Sequence, residues 1–241
     1  MSSAFSVIVE DFSSRLESVS EIVVTATNKT ALPKLRVASI HAATLLLAAT
    51  FEEFVREMAR ESAVHIVRKA KRVSDLPEKL LDTAWKRTLD GIMYKKHAAQ
   101  SKKESLEISI KLARPKMEAL FAFIEGDLNQ DIFDNLIHNE NNMRANEINS
   151  LFKVSGFKNA CVEVCKRAEL KNFFGAEDEG QTHGALLAAL EDFFNRRNEI
   201  AHSLNSASSS GPEQIQRDID LFRAFSRDLG STINLTFFNG G

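Results

Sequence analysis

The chain has 241 residues, 44% hydrophobic and 27% charged, which suits one large helical domain or a helical core with an insertion. Ten Gly and four Pro are few for this length and favour long helices over a turn-rich β fold. A net charge of −2 excludes a generic polyanion binder, although residues 56–116 hold 16 Lys/Arg against 8 Asp/Glu and residues 117–200 hold 8 against 15. The basic stretch either steers RNA or is a set of solvated helix faces.

Residues 4–28 read as a helix, with Phe5, Ile8, Phe12, Leu16, Val19 and Val23 at intervals of three or four. Leu32-Pro33 is expected to break this helix, and residues 35–73 form the longest predicted helix. Its segment Leu45-Leu46-Leu47-Ala48-Ala49 is apolar all round and is expected at the centre of the bundle. Glu52 and Glu53 follow. If one faces inward it meets an arginine, Arg197 foremost; otherwise both are exposed glutamates. A helix over 77–90 carries Trp85 and loosens at Gly91. The basic span of about 91–116, with His97, has no strong apolar stripe and is the candidate insertion within an otherwise single domain over 1–241.

A short helix over 115–125 ends at Gly126-Asp127, and the amide-rich end of the segment from Ile132 to Asn142 reads as a loop. There His138 and its Asn neighbours either line a nucleotide pocket or satisfy their own backbone. Helices are predicted from Met143 to Phe152 and over 158–174, the latter with Ala160, Cys161, Val164, Cys165 and Ala168 inward. Cysteines four apart on one helix make a poor disulfide, and no His or second Cys pair stands at zinc spacing, so no metal and no cofactor is expected. Thr182 is the expected cap of a helix over 183–203, and Pro212 opens a last helix with Ile215, Ile219, Phe222, Phe225 and Leu229 on one face. The tail from Thr232 to Phe238 either pairs as a short strand or lies across the bundle. The 17 Phe are expected in the helix–helix seams. A signal segment is lacking, no apolar run reaches membrane-spanning length, and the cysteine usage fits a reducing cytoplasm, so no membrane partner is expected.

Chemistry concentrates in Phe193-Phe194-Asn195-Arg196-Arg197-Asn198-Glu199-Ile200-Ala201-His202, which follows the apolar run of residues 186–190. Arg is a permanent planar cation that fits phosphate oxygens, and His exchanges a proton near neutral pH. That set suits RNA cleavage without a metal. Arg197-Asn198-Glu199-Ile200-Ala201-His202 resembles the signature of the HEPN superfamily, and more closely that of its RiboL-PSP-HEPN kind. The run from Leu45 to Val55 is similar to the long N-terminal helix of that family, with Glu52 at its acidic position; Ser203 stands where the family often has Gly. The resemblance implies an all-α bundle with a long helix in its N-terminal half.

In the cleavage this implies, the 2′-OH attacks the adjacent phosphorus with His202 as base or acid. Arg197 holds the phosphate, Asn198 fixes the imidazole or a phosphate oxygen, and Arg196 adds a backbone phosphate contact. Arg197 and His202 are five apart, about 140° around a continuous helix. Either the turn loosens at the histidine, or a twofold dimer builds the cleft from both copies. The resemblance implies the dimer, with RNA as ligand, no cofactor, and a toxin–antitoxin or antiphage setting with an antitoxin or defence protein as further partner. The rivals are a non-catalytic RNA- or nucleotide-binding module and a helical protein-interaction partner.

Overall fold

The computed structural model describes residues 3–28, 30–95, 102–137, 142–202 and 210–238. His97, His138, Ser203, Ser206, Ser208 and Ser209 lie outside the described residues. Every regular element among the described residues is helical, so the all-α expectation holds. The chain forms two compact units. The first comprises Met1–Met58, Asn141–Asn149 and Asn159–Gly241; the second comprises Ala59–Glu140 and Ser150–Lys158.

The first unit is built from α1 (Ala4–Thr27), the leading part of α2 (Pro33–Lys69), α9 (Glu179–His202) and α10 (Pro212–Phe238), with the start of α6 (Ala145–Lys153) and the short α7 (Ala160–Val164) and α8 (Ala168–Phe174). Helix α1 has ended by Leu32-Pro33, as expected, and Pro33 itself opens α2, because the first turn needs no N–H from it. Phenylalanines fill the seams as the composition implied. Phe51 stacks on Phe222 at 4.0 Å, meets Phe225 edge-on at 5.4 Å, and reaches Phe12 and Phe194 at 6.4 Å each. Three other helices are thereby keyed to one position on α2, and such aromatic pairs each add about 0.5–1.5 kcal/mol beyond area burial.

The all-apolar segment of α2 is only partly central. Leu47 and Ala48 are buried, whereas Leu45 and Leu46 remain 38% and 42% exposed. One face of a helix packs, and uniform apolarity cannot say which. By length and composition alone α2 is long and apolar enough to cross a membrane, a test that the core helix of a globular fold also passes. The buried Ile40, Ala43, Leu47, Ala48 and Phe51 account for much of that apolarity as core.

Between α7 and α8 the predicted helix over 158–174 breaks. Arg167 is extended (φ −98°, ψ 169°), and the Asp228 carboxylate on α10 accepts the N–H groups of Glu169 at 3.3 Å and Leu170 at 2.8 Å. Those donors open α8 in place of an unbroken helix, and Ala168 turns outward. Cys161 and Cys165 are buried, and burial pushes both thiols up to about 12. The tail through Phe238 continues α10 as helix. At Gly230 a Cβ would stand 2.8 Å from the Val9 Cγ2, so α1 and α10 approach more closely than a side chain permits.

The second unit holds the end of α2, a 3-10 turn at Val73–Asp75, α3 (Glu78–Lys95), α4 (Lys102–Glu125) and α5 (Phe133–Ile137). Two boundaries are corrected: helix α3 runs through Gly91 to Lys95, and α4 begins at Lys102 instead of 115, with Pro115 inside it. The basic span is thereby helical where described, as a helical insertion would be. Helix α5 precedes the amide-rich end read as a loop, of which residues 138–141 lie outside the described residues. Buried Leu80, Ala84, Leu120, Phe123, Leu136 and Phe152 make this unit's core.

Candidate active site

Helix α9 carries the motif. Asp178 caps it: the carboxylate accepts the Gln181 N–H at 2.8 Å, while Thr182, the expected cap, is buried one turn inside and donates to the Asp178 carbonyl at 2.7 Å. The helix begins at Glu179 because a carboxylate at its start satisfies orphan donors and suits the helix dipole.

Leu186, Leu190, Phe193 and Phe194 form the inward stripe of α9. Arg197 follows Phe193 by one turn, so it continues that stripe and is half-buried. The contact between Phe51 and Phe194 sets the register with α2 and brings Glu52, the next residue, into the field of Arg197. Burial pushes the Glu52 carboxyl above its ordinary range, and the charges of Arg197 and Arg56 draw it back only in part. Glu53 instead pairs with Arg56 at 3.2 Å. The Arg197 Nη1 donates to the Asn198 Oδ1 at 3.2 Å, and its buried Nε has no hydrogen-bond partner among the described residues.

Sequence reasoning missed three supports of this helix. The Asn142 Nδ2 donates to the Asn198 Oδ1 at 3.0 Å, and Arg144 binds Glu191 and donates to the Asn195 Oδ1 at 2.7 Å. Asp218 takes Arg196 in a two-pronged ion pair, Nη1 to Oδ2 at 2.9 Å and Nη2 to Oδ1 at 3.0 Å. For Asn142 the signal was its amide-rich run; for Arg144 and Asp218 there was none, since each partner lies on a separate element.

Arg196 is thus held against α10 by Asp218. It also pairs with Asp192 at 2.9 Å and lies 5.6 Å from the Phe193 ring centroid. Burial alone would lower its pKa, but the hydrogen bonds and charge of Asp218 and Asp192 hold it above its usual value and fully charged.

His202 is exposed and is the last residue of α9, which stays helical through it. Asn198 and His202 share one helix face, and Arg197 points about 140° from His202. Among the described residues no group of three or more His, Cys, Asp or Glu converges as a metal cage.

The family model for RiboL-PSP-HEPN matches residues 10–234, nearly the whole chain. The chain belongs to the RiboL-PSP-HEPN family. No curated protein and no solved structure matches it. HEPN membership gives it a nuclease or other RNA-related role in general terms; HEPN domains generally bind RNA and often dimerise. In this HEPN chain the motif helix is fastened on both flanks, by Arg196 to α10 and by Arg144 and Asn142 to the stretch leading into α6, while Arg197 is half-buried and His202 is exposed at its end.

Proposed function

We propose that the chain is a metal-independent endoribonuclease of HEPN type. The ribose 2′-OH attacks the neighbouring phosphorus and expels the 5′ oxygen, leaving 2′,3′-cyclic phosphate and 5′-hydroxyl ends. DNA, lacking that hydroxyl, is not cut by this route. The supporting observation is Arg197, a half-buried guanidinium steadied by Glu52 and Asn198 whose Nε has no partner among the described residues, on the helix that ends in His202.

Arg197 binds the phosphate and the charge growing on it in the transition state. His202 takes the proton of the hydroxyl or returns one to the leaving oxygen, a step that contributes about 10²–10⁴-fold when the group is positioned. Asn198 shares His202's face and donates from its amide to the imidazole or a phosphate oxygen, while its Oδ1 holds Arg197. Because Arg197 and His202 diverge around one continuous helix, the cleft is completed in a homodimer, Arg197 of one copy facing His202 of the other. HEPN membership supports a toxin–antitoxin or antiphage setting in the cytoplasm, with an antitoxin or defence protein as partner.

A non-catalytic RNA- or nucleotide-binding module is the second reading, favoured by one observation: within a single chain the arginine and histidine share no face. The deciding test incubates purified protein with labelled RNA in EDTA beside His202→Ala and analyses the product ends. Cyclic phosphate ends from wild type alone are expected; cleavage surviving in His202→Ala overturns the assignment.

A further inference from the structure

The two units differ in charge. Lys/Arg are outnumbered by Asp/Glu 14 to 20 in the first, which carries the motif, and outnumber them 17 to 13 in the second. A polyanion is therefore drawn to the second unit more strongly than to the unit holding Arg197 and His202. The second unit also presents an uncovered aromatic pair. Trp85 on α3 and Phe121 on α4 meet edge to face, with ring centroids 5.8 Å apart and planes at 73°, and they remain 40% and 46% exposed. Leu89, one turn beyond Trp85, and Ile124, one turn beyond Phe121, are 36% and 39% exposed, so the apolar surface extends along both helices.

Helix chemistry does not require a Trp at that position. The α3 core is already made by Leu80, Ala84 and Thr88, and Phe123, not Phe121, is the buried aromatic of α4. Exposed basic side chains lie on the same helices: Lys86 follows Trp85 in the chain, and Arg114 and Lys111 stand two to three turns before Phe121 on α4. Asp82 and Glu118 stand one turn from the rings and keep phosphates off the pair itself. The arrangement favours flat, uncharged faces at the centre and phosphates at the margin, as an unpaired nucleic-acid strand offers with its bases turned inward.

We infer that the Trp85–Phe121 face of the second unit is a stacking platform for single-stranded RNA, binding bases on the two rings and the backbone on the Lys and Arg of the same helices. This rests on the RNA-directed reading above and names where the strand is held apart from the motif. Stacking on the rings is tolerant of base identity, because every base has a π face.

Trp85 is the chain's single tryptophan, so it reports on its own site. The full chain is titrated with a 2′-O-methyl oligouridylate, which lacks the attacking hydroxyl and keeps binding separate from cleavage. Quenching of Trp85 fluorescence is expected, weakening as salt rises. Phe121→Ala, with the same reporter, is expected to lose affinity by about 5- to 150-fold, and Trp85→Ala the same by anisotropy of labelled RNA, with Trp85→Phe recovering most of it. Circular dichroism of each variant separates loss of binding from loss of fold. Absent quenching at low salt, or unchanged affinity in folded Phe121→Ala and Trp85→Ala, overturns the platform and leaves the face to a protein partner. If RNA is still cleaved in EDTA in that event, the proposed nuclease stands and only the platform falls.

Discussion

Glu52 sits in the first unit against its own solvation. Folding raises its pKa, so the folded state holds the proton more tightly than the unfolded one. Such a carboxyl favours folding below its unfolded pKa and opposes it once the pH has risen through the folded value. Glu52→Gln is therefore expected to raise Tm at neutral pH, with the gain vanishing as the pH falls below the ordinary value of 4.5. The same change removes the carboxylate facing Arg197 and is expected to lower RNA cleavage. Thermal melts across pH, paired with the EDTA assay, check both halves; a Tm below wild type at pH 7 would mean that the charge of Arg197 outweighs burial. Sequence left Glu52 and Glu53 open, because both lie on the same turn. What separates them is the seat of Phe51 against Phe194, a contact between helices far apart in the chain.

At the level of elements, α1 and α10 meet tightly at Gly230. Gly230→Ala adds a methyl 2.8 Å from Val9 and is expected to cost about 1–3 kcal/mol, the range for overpacking a filled site. Adding Val9→Ala removes the obstructing methyls and is expected to return part of that loss. Urea melts of the two single variants and the double variant measure it, and strictly additive losses would show that the two positions do not meet. The helices themselves were legible wherever apolar residues recur at helical spacing, as in α1, α10 and the inner face of α9. They were misread where a partner overrides the local pattern. Asp228 splits α7 from α8, and α3 runs on through Gly91, since a single Gly weakens a helix by only about 1 kcal/mol.

For the whole molecule the proposed composite cleft makes a sharp prediction. Arg197→Ala and His202→Ala chains, each inactive alone, are expected to regain cleavage when unfolded together and refolded as a mixture. In a twofold dimer half of the assemblies are mixed, and one cleft in each has both groups intact, so about a quarter of wild-type activity is the ceiling. No recovery, with mixed dimers demonstrated by two affinity tags, would place both groups in one chain's own cleft and return attention to the turn after His202.

The sequence by itself determined that the protein is all-helical, which stripes pack inward, and that the Arg197–His202 motif belongs to a HEPN chain. Those features are periodic or contiguous, and helix geometry alone converts them into faces. Only the tertiary structure decided that Arg196 is captured by Asp218 while Arg197 is not, that Asn142 and Arg144 support the motif helix, and that Leu45, Leu46, Trp85 and Phe121 stay uncovered. A charge or an apolar side chain specifies what kind of partner it needs, but which one it meets is set by how helices distant in the chain come to lie together.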